Sequence, residues 1–408
     1  MCIRDRYISW VGRNVRDNSE QPASVLVSQL RDYLVNGWQL DLHARTTEHA
    51  LQPFSRRYFE AGGLLTYARE WREAHRAGED GDEGAAAASS ELPPFDIDDK
   101  FSLKLISLNN FVRQPVRFFF RQRLGVMFGE SALVGEDEEP FSLNALERYL
   151  LEDTMLDDGA DAEQIEEVYD KLTECAERLA REGVLPIGLI GQQYQRQLVE
   201  ALVPVRCAWL TLREHYPQAA AKVALSLVLA GVRVDDWIDQ LRSNGIETVW
   251  LTQMSSKVTD KQGKPRGDKL IAMWLRQLAA AAAGMPVTGY LVARDAIVTM
   301  KPLPRDEALE ALRELVCLWR DGMNRPLPTA CKTALALAQG GDARAVYDGG
   351  FEIAGENEEL CLARLWPDFA ALSAQPDFAD VSEALYGPLA NWLEHHITIE
   401  AIEAGSRS

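Results

Sequence analysis

Five basic residues and no acidic ones lie between Lys104 and Phe128. Arg117 and Arg121 stand four apart, so on a helix they share one face, and Arg123 flanks them. Arg113 extends the row from the far side of Pro115. Guanidiniums in such a row suit phosphate oxygens, which they bind through charge-assisted, often paired hydrogen bonds. The same row could instead pair within the chain, because an acidic segment follows it closely; spacing alone leaves both readings open. Phe118, Phe119 and Phe120 supply the core-facing side.

A second set is acidic. Asp235, Asp236 and Asp239 fall in VRVDDWIDQL (232–241). Two carboxylates on adjacent strands would hold Mg²⁺ against a phosphate, and a Lys beside them would help generate the attacking hydroxide. The next strand-like run, ETVWLTQMSSK (247–257), lacks its half of this arrangement. Thr252, Gln253 and Met254 stand where the acid and Lys belong, and Lys257 has no acid two residues before it. Glu247 is followed by Thr248 and Val249. No complete ligand set exists, so no bound metal is expected. The six His, at 43, 49, 75, 215, 395 and 396, show no metal-ligand spacing. The six Cys, at 2, 175, 207, 317, 331 and 361, include no CxxC, which suits a reduced compartment. GKPRGDK (263–269) has the residue types of a phosphate loop in the wrong order and reads as a flexible turn.

The elements that must position these residues follow from periodicity. Tyr7–Trp10 is a short β-like run, Ser24 caps a helix, and a second helical stretch covers about 62–77. GEDGDEGAAAASSELPP (78–94) has almost nothing to bury and is the best boundary in the chain. Pro115 opens a helix at its first position, and Gln114 before it is pushed out of helical geometry. Helices are expected over about 142–156, 161–182 and 188–215. Then come a hairpin (Lys222–Gly231 with Val232–Leu241), a strand at Glu247–Ser255, a helix over Asp268–Ala283 stopped by Gly284, a strand over Val287–Arg294 paired with Ala296–Met300, and helices from Arg305 onward.

The chain has 408 residues and a net charge of −19, but residues 131–170 alone hold −13 of it. The remainder is close to neutral, so a locally basic surface is compatible with an acidic total. At 47% hydrophobic the chain can build real cores. No run of 18 apolar residues exists, and no membrane association is expected. The first six residues, MCIRDR, read like the translated end of a sequencing adapter and are set aside.

Helix, hairpin, strand, helix, strand over 188–294 matches the core order of PD-(D/E)xK nucleases. Beyond that, YISWVGRNVRDNSEQPASVLVSQLRDYL (7–34), HALQPFSRRYF (49–59), YAREW (67–71), SLNNFVRQPVRFFFRQRLGV (107–126), EPFSLNALERYLL (139–151), LPIGLIG (185–191) and LARLW (362–366) resemble, in order, the C-terminal part of the RecC family. RecC is the gamma subunit of exodeoxyribonuclease V, the bacterial RecBCD helicase–nuclease.

The resemblance implies an α/β chain. Residues 7–77 would be the end of a superfamily 1 helicase-like domain, 78–95 a linker, and 96–408 a degenerate nuclease-like domain with added helices. It also implies a chain that begins inside a larger protein. Its implied role is a non-catalytic, cytoplasmic subunit that binds RecB and RecD and contacts double- and single-stranded DNA. There it would split duplex, guide strands and respond to Chi during double-strand break repair. Val11-Gly12-Arg13 replaces the helicase motif whose Arg contacts ATP, Gln114 replaces a cluster-ligating Cys, and Gln192 and Gln193 stand where active relatives place a His. ATP and Mg²⁺ are therefore expected only in the partner subunits. Asp239 falls at the first catalytic Asp without its partners, and Arg113, Arg117, Arg121 and Arg123 are the expected DNA contacts. The competing reading is an active PD-(D/E)xK nuclease that uses Asp239.

Overall fold

Ala230 and Gly231, both with positive φ (48° and 80°), make the two-residue turn that a right-twisted hairpin requires. They join two strands that the alternating apolar pattern anticipates. The computed structural model describes residues 7–14, 19–50, 52, 54–60, 64, 66–67, 92–98, 101–128, 142–158, 163–350 and 353–402. The chain divides into two units, Met1–Glu91 and Leu92–Ser408. Residues 78–91, most of 62–77 and acids 131–141 of the acidic segment lie outside the described residues.

In the first unit, helix α1 (Val25–Trp38) follows Ser24, but the Ser24 hydroxyl makes no capping bond. The helix stops at Gln39, whose left-handed backbone sends its N–H to the end of the helix. The expected strand at Tyr7–Trp10 does not form. A strand needs a partner for its backbone groups, and among the described residues here only an isolated bridge exists, Arg13 with Glu20.

The second unit begins with α2 (Leu105–Arg113) and α3 (Pro115–Phe118), which widens into a π turn over Phe119–Arg123. Pro115 is the first helical residue, and Gln114 (φ −148°, ψ 72°) is the bend between the helices. Helices α4 (Ala145–Asp158), α5 (Val168–Arg181) and α6 (Gly188–His215) follow. Strands are β1 (Gln218–Ala219), β2 (Val223–Leu229), β3 (Val232–Ile238), β4 (Leu241–Ser243) and β5 (Thr248–Gln253). After α7 (Gly267–Ala282) come β6 (Thr288–Val292) and β7 (Ala296–Met300). The remainder is α8 (Arg305–Asn324), α9 (Cys331–Ala338), α10 (Ala343–Asp348), α11 (Leu360–Leu365), α12 (Phe369–Ser373), α13 (Phe378–His395) and β8 (Ile397–Ala401).

The main sheet runs β1-β4-β5-β6-β7-β8, with β5–β6 its one parallel pair among the described strands, joined by α7. The hairpin β2–β3 is a separate sheet, which corrects the single run expected over Val232–Leu241. Gln240 takes a positive φ of 54°, so the chain turns there and Leu241–Ser243 leaves the hairpin to pair with β5. The hairpin's other backbone partner is Leu103, which bonds Arg233 and Asp235.

Both faces of the main sheet are covered. Trp250, Leu291, Val298 and Met300 pack with α7, α8 and α13, while Leu251 and Val292 pack with α4, α5 and α6. Alternate strand residues thus enter opposite cores, and the three consecutive apolar residues of β5, Val249, Trp250 and Leu251, are all buried because both faces are covered there. The three phenylalanines are all buried, but in different places. Phe118 joins the main core, and Phe119 and Phe120 pack among Tyr347, Trp366 and Phe378.

Candidate functional site

The three aspartates of the second hairpin strand and its exit each have a separate task. The Asp235 carboxylate accepts from Ser226 Oγ at 2.7 Å and pairs with Arg233 at 3.2 Å. The Ser226 bond, with smaller help from Ser102, Arg233 and Lys104, holds it below the usual carboxylate range. Asp236 accepts from the Leu105 N–H at 2.8 Å and so supports the start of α2. Asp239 is bound by Arg276 of α7 through both its carboxylate and its backbone carbonyl. Arg276 also donates to Gln240 Oε1 at 3.1 Å and lies over the Trp250 ring at 5.1 Å. Burial pushes the Arg276 guanidinium below its ordinary value, against the pull of Asp239.

On β5, Gln253 Nε2 donates to the Leu156 carbonyl at 3.2 Å, and just before the strand Glu247 accepts from Tyr216 at 2.9 Å. Lys257 is exposed. Among the described residues no three His, Cys, Asp or Glu side chains converge as a metal site would require.

The basic row divides. Arg113 and Arg117 line a cleft of about 270 Å³ that opens at the Gln114 bend. Arg266 and Lys269, at the start of α7, and Lys332, at the start of α9, line it too. Arg121 is exposed on the π turn and is absent from that lining. Arg123 turns away, donating to the Pro93 carbonyl and lying over the Phe95 ring at 5.7 Å. Among the described residues neither Arg113 nor Arg117 pairs with a carboxylate. Arg117 reaches only the Gln114 side chain, at 3.5 Å.

Three acids share the cleft, and each is engaged locally. Asp268 pairs with Arg266 at 3.1 Å. Glu356 accepts from Thr333 N (2.7 Å), Thr333 Oγ1 (2.8 Å) and Lys332 N (3.0 Å). Glu359 caps α11 through Leu362 N at 3.0 Å. Burial holds the Lys269 ammonium below its ordinary value; Asp268 opposes this, and Arg113, Arg266 and Lys332 add to it. A half-buried lysine facing three other cations is a site short of negative charge.

Sequence reasoning missed Arg266 and Lys269 because GKPRGDK reads as a turn, and Lys332 because it stands alone in an otherwise uncharged stretch, PTACKTALALA (328–338). One signal was present. Lys269 sits in the first turn of a strong helix, where a cation opposes the helix dipole.

The fold is a mixed α/β domain with helices on both sheet faces, and the concavity at the Gln114 bend is lined by five cations and three acids. The RecC C-terminal domain family model matches residues 102–342, and the chain belongs to that family. All five cleft cations lie inside that range. The chain is 26% identical over 402 residues to the RecBCD enzyme subunit RecC of Escherichia coli (strain K12), covering 88% of this chain and 33% of that subunit. The RecBCD enzyme subunit RecC of Haemophilus influenzae is 26% identical over 317 residues (75% and 26% covered). That of Mycolicibacterium smegmatis is 28% identical over 349 residues (81% and 30% covered). The chain thus spans about a third of the length of the curated relatives it matches. Among the described residues no helix is long and apolar enough to cross a membrane.

Proposed function

We propose that the chain is a non-catalytic, DNA-handling and scaffolding part of a RecBCD-type enzyme. It acts in the bacterial cytoplasm beside RecB and RecD subunits during recombinational repair of double-strand breaks. Residues 7–77 are a helicase-like remnant, 78–95 a linker, and 96–408 a degenerate PD-(D/E)xK domain. ATP and Mg²⁺ chemistry belongs to the partner subunits. The observation that carries this reading is Arg276 on Asp239: a fixed guanidinium holds the carboxylate that an active nuclease would give to Mg²⁺. Thr252 and Gln253 on β5 offer no acid to complete the set.

The test is cleavage. Purified chain with Mg²⁺ and end-labelled duplex and single-stranded DNA is expected to retard both at low salt and cut neither. Arg276→Gln frees Asp239 but supplies no second acid, so that variant is also expected to leave DNA intact. Its stability should fall by about 1–3 kcal/mol, since the Arg276 side chain is only 18% exposed and loses its bonds to Asp239 and Gln240. Mg²⁺-dependent cleavage that Asp239→Asn abolishes would overturn the reading in favour of an active nuclease.

A further inference from the structure

Among the described residues Arg113, Arg117, Lys269 and Lys332 form no ion pair, yet they line one concavity together with Arg266. They arrive from three directions: the two sides of the Gln114 bend, the start of α7 and the start of α9. Five cations against three carboxylates leave the lining with a net positive charge, and the carboxylates are held in place by Arg266 and by the N–H groups opening α9 and α11. A cleft with an excess of positive charge attracts an anion and raises its local concentration.

We propose that the cleft at the Gln114 bend is a phosphate-binding site, in which Arg113, Arg117, Arg266, Lys269 and Lys332 surround one phosphate of a nucleic-acid strand. A phosphate suits the cleft better than a carboxylate does. Its oxygens are tetrahedrally disposed and accept from donors on several sides, whereas a carboxylate's two coplanar oxygens would satisfy one guanidinium fork and leave the rest unmatched. The cleft's volume of about 270 Å³ admits a phosphate with part of its flanking sugars. Readout there is of charge and shape, without base contacts, which makes the site a positioning contact rather than a sequence reader. That the phosphate belongs to nucleic acid rests on the DNA-handling reading above; that the cleft binds phosphate does not.

The experiment compares the 408-residue chain with Lys269→Gln/Lys332→Gln by calorimetry with inorganic pyrophosphate, and by anisotropy with a labelled oligothymidylate across a salt series. Pyrophosphate affinity is expected to fall at least tenfold in the double variant. For the oligothymidylate, the slope of log affinity against log salt should shrink by about 0.7, the value for one phosphate of a single strand. Lys332 is exposed and its side chain makes no hydrogen bond among the described residues. Lys332→Gln alone should therefore melt like the parent and still lose pyrophosphate affinity several-fold, which separates binding from folding.

Equal pyrophosphate affinity in parent and variants overturns the proposal. Poly-L-glutamate that binds the parent as tightly as oligothymidylate, with the same loss in the variant, overturns the phosphate assignment in favour of an acidic peptide. Lost pyrophosphate affinity with an unchanged oligothymidylate slope upholds the anion site but removes the nucleic-acid strand from it.

Discussion

Replacing Gln277 by Leu is expected to destabilise the chain by about 3–4 kcal/mol. Gln277 is 2% exposed on α7 and ties β5 to the segments around β6 and β7. Its Oε1 accepts from Trp250 Nε1 at 2.8 Å. Its Nε2, with two hydrogens, lies within donating distance of the carbonyls of Val287 (3.1 Å), Met300 (3.2 Å) and Lys301 (3.0 Å), one hydrogen being shared. Leu fills the volume but removes the acceptor of the buried indole N–H and a donor shared by the carbonyls of Val287, Met300 and Lys301. Each lost bond costs about 1 kcal/mol or more, and together they make up that loss. For a domain of this size that is a melting-temperature drop of about 6–12 °C. Thermal melting followed by tryptophan fluorescence is the check, and a drop under about 2 °C would mean the network contributes little.

The second large effect is at Glu152. This carboxylate is 3% exposed on α4, accepts from Arg148 Nε at 2.9 Å and holds Arg294 Nη1 through both oxygens at 3.0 and 3.1 Å. Glu152→Ala leaves two guanidiniums without their anion. Breaking a fully buried pair costs about 3–5 kcal/mol, and Arg294 is partly exposed, so about 2–4 kcal/mol is expected here. Urea denaturation should show a lower midpoint with the slope preserved. Glu152→Leu combined with Arg294→Met should recover part of the loss, because two apolar groups need no ionic partner. A double variant less stable than Glu152→Ala would contradict this.

Much of the local structure was legible in the residues. The 28-residue α6, the hairpin, β5, α7, β6 and β7 each follow from an apolar period of 3.6 or 2 closed by a turn signal. Pro115 at the head of α3 follows from its missing N–H, and the Gln114 bend from the clash a proline imposes on its predecessor. The acids absent from β5 were equally plain, since chemistry needs residue types before it needs geometry. Tyr7–Trp10 shows the limit. Its composition is that of a strand, but β structure exists only where another segment supplies bonds. β8 shows the converse, since Ile397–Ala401 is a short run that becomes a strand because Ala296–Met300 lies beside it.

Residue types and spacing alone carried most of the helices and the strands from Val223 to Met300, and the absence of an acid and Lys pair from the 247–257 run. Only the tertiary structure decided that Arg276 lies on Asp239, that Gln240 turns the chain out of the hairpin into the main sheet, and that the basic row splits. Arg113 and Arg117 belong with Arg266, Lys269 and Lys332, while Arg123 is tied to Pro93 and Phe95. The reason is physical. Periodicity and capping report interactions within a few residues, which the chain carries wherever it goes. Which charges meet across a cleft is set by how α2, α3, α7 and α9 pack on a shared core, and packing depends on long-range complementarity that no local spacing encodes.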